Sequence, residues 1–117
     1  MKKILIIEDD PATVAGLSDT LTDEHFEVST VMSGQMGYER AKEGDFDLII
    51  LDTTMSELAS LEAVKIIRQL EEYSGQRAAI VGFGVEEDGD KCLEHGVDGY
   101  IHGSLTEDKI RAQLELV

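Results

Sequence analysis

The sequence predicts an α/β domain in which five short strands alternate with five helices, giving a parallel sheet covered on both faces. Two observations carry this. Short apolar runs bounded by polar residues recur at residues 4–7, 26–32, 46–51, 78–83 and 97–101, and each interval between them reads with helical spacing. Strands and helices alternating at this spacing imply right-handed crossovers, hence parallel strands with helices on both sides.

The helices follow in order. Asp10 stands as N-cap and Pro11 at the first helical position of a helix whose Val14, Leu17 and Leu21 share one face. Ser33 caps a second helix that carries Met36 and Ala41 and stops at Gly44. Leu61, Val64, Ile67 and Leu70, three apart, form the stripe of a third, and Gly75 follows it. A short fourth helix spans about 87–95 and closes on Gly96, where a protonated His95 suits the helix C-terminus. The fifth covers about 104–116. No linker, repeat or low-complexity segment interrupts residues 1–117, so one domain is expected.

With 117 residues, enough surface can be buried for a full core. The balance of 10 Lys plus Arg against 25 Asp plus Glu, a formal charge of -15, argues against direct nucleic-acid binding, which cationic side chains drive. Basic partners or divalent cations fit that charge, although scattered surface acids serve mainly solubility. The lone Cys92 permits no internal disulfide and reads as a small core residue. No apolar stretch has the length of a signal-peptide core or a membrane span, so a soluble, cytoplasmic protein is expected.

Surface solubility does not explain acids that terminate apolar strands. Lys3-Ile4-Leu5-Ile6-Ile7 runs straight into Glu8-Asp9-Asp10, and Leu48-Ile49-Ile50-Leu51 into Asp52. In open parallel sheets ligands bind at the carboxyl ends of the strands, so Glu8, Asp9 and Asp52 are placed to share one crevice. Two like unit charges about 4 Å apart repel by roughly 4 kcal/mol at an effective dielectric of about 20. Such a cluster calls for a cation.

These residues resemble the receiver domain of two-component response regulators, over essentially the whole chain. Glu8 and Asp9 match the family's acidic pair, and Asp52 its phosphoacceptor. Asp52-Thr53-Thr54-Met55 looks like the Asp-x-x-Met after the third strand, and Gly96-Val97-Asp98-Gly99-Tyr100 resembles the segment around the fifth. The resemblance implies a flavodoxin-like (βα)5 fold with strand order 2-1-3-4-5. It also implies Mg2+ held by Asp9, Asp52 and the Thr54 backbone carbonyl, with Glu8 acting through metal-bound water; magnesium favours octahedral oxygen ligation. Asp52 would then accept a phosphoryl group, with a sensor histidine kinase or phosphotransfer protein as partner. The family signals through the face of the fourth helix, fifth strand and fifth helix, here a homodimer or partner surface on which Tyr100 is expected.

The chain departs from the family at four places. Where receivers place a Ser or Thr at the end of the fourth strand, this chain has Gly82, or a residue directly beside it; the Lys-Pro after the fifth strand is Gly103-Ser104. Ser56 replaces the Pro after Asp-x-x-Met, and Ser60 the Gly four residues on. Losing the hydroxyl and the Lys removes two polar contacts to a phosphoryl group, which implies weak phosphorylation. It also implies a Tyr100 that keeps one rotamer, and room above Asp52 for water or another ligand. His102 is expected to point away from the side that position 103 serves, because neighbours on a strand alternate.

Gly82-Phe83-Gly84 is not a nucleotide loop, since position 87 is Glu where the dinucleotide fingerprint needs Gly. Two readings remain: a receiver phosphorylated on Asp52, and an interaction module that works without phosphate. A phosphohydrolase acting through an aspartyl nucleophile is disfavoured, because Thr54 stands where such enzymes keep a second Asp. No enzymatic activity is expected.

Overall fold

The computed structural model describes residues 2–54, 60–84, 89–102 and 105–116. Strands β1 (Lys3–Ile7), β2 (Glu27–Val31), β3 (Leu48–Asp52), β4 (Ala79–Phe83) and β5 (Gly99–Ile101) alternate with helices α1 (Pro11–Asp23), α2 (Gly34–Glu43), α3 (Ser60–Ser74), α4 (Gly89–Glu94) and α5 (Glu107–Gln113), and a 3-10 turn at Leu114–Leu116 follows. All strand pairs are parallel and the order is β2-β1-β3-β4-β5, as expected. Ile7 lies opposite Leu51, so β1 and β3 end at the same level. That register brings their terminal acids together.

Alternation along the strands sorts the core into two layers. Leu5, Ile7, Ile49, Leu51, Ile80 and Tyr100 face Val64 and Ile67 of α3 and Cys92 of α4. On the other side Ile4, Ile6, Leu48, Ile50, Val81 and Ile101 face Leu17 and Leu21 of α1 and Ile110 of α5. Strands β1, β3 and β4 are buried on both faces, which explains why they read as continuous apolar runs. Each fully buried Ile or Leu contributes roughly 1.5–3 kcal/mol.

The helix starts agree with the sequence. Side chains of Asp10 and Ser33 accept from the backbone N–H of Thr13 and Met36. The stops are less uniform: Gly75 takes a φ of +76°, whereas α1 ends with His25, a non-glycine residue, at φ +65°. Helix α2 departs from expectation. Met36 is 49% exposed, and the helix instead packs through Gly37, where an added Cβ would lie 2.9 Å from Ile7 Cγ1. Close backbone approach, with no side chain in between, replaces the anticipated methionine contact. The fifth helix begins at Glu107 with Thr106 as its cap, later than 104.

The fifth strand is shorter than its apolar run because Asp98 takes another role. Its Oδ2 accepts from the Ile80 backbone N–H at 2.9 Å and from Arg68 Nη2 at 2.8 Å, while Oδ1 accepts from Arg77 Nη2 at 2.8 Å. Arg68, rising from α3, also donates to the carbonyl oxygens of Gly96 and Ala78. This network ties the N-terminal ends of β4 and β5 to α3. Despite partial burial the Asp98 carboxyl is held below its usual range by the two arginines and the Ile80 N–H. Replacing Asp98 with Ala strands the Ile80 N–H and the half-buried Arg68, and should cost about 2–4 kcal/mol in urea unfolding. A change below about 0.5 kcal/mol would mean that the network is ornamental to stability.

Candidate functional site

Glu8 directly follows β1 and its backbone N–H still donates to Val31 O at 3.0 Å, which continues the sheet one residue beyond the strand. Its side chain is only 2% exposed, and Asp52 at the end of β3 is 8% exposed. Asp9 lies at the surface beside them. One carboxylate oxygen from each of Glu8, Asp9 and Asp52 lies within 4.8 Å of the other two. Asp10, the remaining acid of the run, turns away: its Oδ2 caps α1 by accepting from the Thr13 N–H at 3.2 Å and hydroxyl at 2.6 Å. These bonds hold the Asp10 carboxyl below its usual range.

Backbone geometry fixes two of the clustered groups. Glu8 Oε1 accepts from the N–H groups of Asp9 and Asp10, both at 2.9 Å. Asp52 Oδ1 accepts from the Thr54 N–H and the Thr54 hydroxyl, both at 2.7 Å. Burial pushes the Glu8 carboxyl up from 4.5 to about 8, further raised by a hydrogen bond and the negative charge of Asp52, against the lowering pull of the Asp10 N–H. Burial and the neighbouring Asp52 carboxylate thus favour the protonated form of Glu8. A neutral Glu8 carries no charge to repel the other two acids.

Beside the cluster, Gly82 has an aromatic neighbour. Gly82 pairs with Leu51 on β3 and Tyr100 on β5, and a Cβ at position 82 would lie 3.1 Å from Tyr100 Cδ1 and 3.2 Å from Thr53 Cγ2. The Tyr100 ring lies over Gly82 and is 7% exposed, so it is inside the protein and not on the outer face as the sequence reading placed it. Its hydroxyl is 3.2 Å from Thr53 Oγ1, which donates to Phe83 O at 3.0 Å. Outside, the His102 ring meets Tyr100 edge-on at 5.1 Å. Tyr100 and Thr53 thus lie against β4 where position 82 offers no side chain.

Sequence reasoning placed Glu8, Asp9, Asp52, Thr54, Gly82 and Tyr100 here, and the structure brings these residues to one end of the sheet. Gly103, Ser104, Met55 and Ser56 lie outside the described residues. Thr53 was missed, although glycines at 82 in β4 and at 84 just beyond it signalled that something from outside must fill their side.

The chain matches the response regulator receiver domain family over residues 4–115. It is a receiver domain of that family. The cell cycle response regulator CtrA of Brucella ovis is 27% identical over 115 residues, covering 98% of this chain and 49% of that protein. The receiver therefore spans about half the length of the curated relatives it matches. Chemotaxis response regulator CheY4 of Vibrio cholerae superposes with a TM-score of 0.89 at 25% identity, covering 100% of this chain and 99% of that one. Response regulator TrrA of Thermotoga maritima, solved in complex with Mg(2+)-BeF, gives 0.88 at 25% identity with both chains fully covered. Among the described residues no helix of the receiver is long and apolar enough to cross a membrane.

The Glu8 proton sets a pH dependence. Folded Glu8 binds its proton up to about pH 8, whereas the unfolded chain releases it near 4.5, so this group favours folding at low pH and that contribution is lost as pH rises to 8. In chelator-treated protein the thermal midpoint should fall between about pH 5 and pH 8, and Glu8→Gln should flatten the slope. An equally steep fall in Glu8→Gln would place the titration elsewhere.

Proposed function

We propose that this receiver accepts a phosphoryl group on Asp52 with Mg2+ bound by the adjacent acids, taking it from a sensor histidine kinase or a phosphotransfer protein. The observation that carries the reading is the convergence of Glu8, Asp9 and Asp52 within 4.8 Å at the end of β1 and β3. Hard carboxylate oxygens at this spacing fit a small divalent cation that keeps several waters. Asp9, Asp52 and the Thr54 backbone carbonyl would hold it, with Glu8 acting through bound water. Glu8 must give up its proton as the cation arrives, which couples binding to pH. The likeness to TrrA, whose solved complex contains Mg(2+)-BeF, supports a magnesium-binding role.

When bound, magnesium neutralises charge on the transferring oxygens. The chain's own residues do the positioning. Thr54 engages Asp52 Oδ1 twice and thereby fixes the carboxylate plane. Oδ2 attacks phosphorus; the new O–P bond forms as the donor's P–O or P–N bond breaks, and the leaving group takes the electron pair. With glycine at position 82 no hydroxyl from β4 touches the transferred group, so the reaction is slower than in a receiver that has one.

A second reading rests on Tyr100. The ring is enclosed by Gly82, Thr53 and His102, so its packing does not require a phosphoryl group on Asp52. In that reading the face of α4, β5 and α5, with Leu93 47% exposed on α4, binds partners irrespective of phosphate.

Intact-mass analysis after incubation with acetyl phosphate and magnesium separates the two. Phosphoacceptor chemistry predicts an added mass of about 80 Da, one phosphoryl group, that is lost with chelator and absent in Asp52→Asn. An unchanged mass in the parent would leave the phosphate-independent module as the function.

A further inference from the structure

We propose that the Thr54 side chain is a cap on Asp52 that competes with a cation for Oδ1, so that the hydroxyl of this residue sets how tightly the acidic site binds Mg2+. This deepens the phosphoacceptor reading and rests on the cation site within it. Thr54 acts here through its side chain, apart from the backbone carbonyl that would serve as a ligand, and in that role it is a positioning residue.

A carboxylate oxygen has two lone pairs, and both of those on Asp52 Oδ1 are in use. The Thr54 N–H and the Thr54 hydroxyl each donate to it at 2.7 Å. Hydrogen bonds to a carboxylate are about twice as strong as those between neutral groups. Asp52 ends a strand buried on both faces and is itself 8% exposed, so it cannot swing away from its donors. For Oδ1 to take a cation, one donor must leave. The N–H is held by the backbone, whereas the hydroxyl turns about a single bond, so the hydroxyl is the one to go. Glu8 Oε1 makes the contrast, since both of its donors, the Asp9 and Asp10 N–H groups, belong to the backbone. Of the four donors on these two oxygens, Thr54 Oγ1 is the one that a side-chain rotation can withdraw.

The other branch of the side chain helps to hold the hydroxyl there. Two heavy atoms on a threonine Cβ turn together, so the seat of one fixes the seat of the other. The Thr54 methyl lies beside Gly84, where an added Cβ would come within 3.0 Å of Cγ2. It fits because position 84 carries no side chain. A rotation that takes the hydroxyl off Asp52 therefore also takes the methyl out of the gap at Gly84, and both contacts are lost in one turn. Thr54 is exposed, so the released hydroxyl passes to water.

Magnesium titration by isothermal calorimetry, compared across the parent, Thr54→Val, Thr54→Ala and Thr54→Ser, tests the cap without any phosphodonor. Thr54→Val keeps the branched shape without the donor and should bind magnesium about tenfold more tightly, the scale of one hydrogen bond to a charged group. Thr54→Ala should do the same and carries the test if valine disturbs the loop. Thr54→Ser keeps the hydroxyl and should stay within about threefold of the parent. Binding as tight in Thr54→Ser as in Thr54→Val would trace the effect to the methyl and overturn the role of the hydroxyl. A parent that binds magnesium, with Thr54→Val and Thr54→Ala no tighter, overturns the cap and leaves the phosphoacceptor reading standing. A parent that binds no magnesium at millimolar concentration overturns the cation site and the cap with it. Tighter binding in both variants, beside a parent whose mass acetyl phosphate leaves unchanged, supports the cap and overturns the phosphoacceptor chemistry alone.

Discussion

Carboxylate crowding at the C-terminal end of the sheet is the constraint on which the rest of this receiver depends. The register of β1 on β3 sets Ile7 opposite Leu51, and the residues that follow are acidic on both strands. Neither Glu8 nor Asp52 can retreat to water, since each is rooted in a strand buried on both faces. The chain therefore meets the repulsion locally. Backbone N–H groups of Asp9 and Asp10 hold one acid, Thr54 holds another, and burial raises the Glu8 carboxyl toward its neutral form.

The opposite end of the sheet shows the contrast. There Arg68 and Arg77 meet Asp98 directly, and Arg68 and Asp98 also bond backbone groups of Gly96, Ala78 and Ile80. Charge at that end is closed by the protein itself and serves to fasten β4, β5 and α3 together. Charge at the other end is left negative. This asymmetry separates a structural end from a reactive one: in the first, ions compensate one another on folding, and in the second, compensation waits for a ligand.

Much of this was legible because it depends on local order along the chain. Apolar runs ending in acid fixed both the strands and their functional ends, and Asp10-Pro11 and Ser33 announced helix starts that the structure bears out. The strand order and the family came from the resemblance, whose motifs span the chain. Lateral contacts were not legible. Tyr100 is inside because Gly82 on the neighbouring strand and Gly84 just past its end offer no side chains to exclude it, and Thr53 completes the socket from a third strand end. Nor does spacing reveal that α2 approaches the sheet through Gly37 with Met36 turned outward, since helix rotation is set by the closest backbone contact. Asp98 falls inside the run read as the fifth strand, yet three distant donors converge on it.

Magnesium-dependent stability tests the crowding most directly. A cation that binds the folded carboxylates, and not the unfolded chain, raises stability in proportion to the logarithm of its concentration above the dissociation constant. At pH 8, where Glu8 competes least for a proton, the thermal midpoint of the parent should climb steadily with millimolar magnesium, and Asp9→Asn should remove most of the climb while raising the midpoint of the metal-free protein. A flat midpoint in the parent, with calcium and manganese equally without effect, would contradict the claim that these three acids form a cation site.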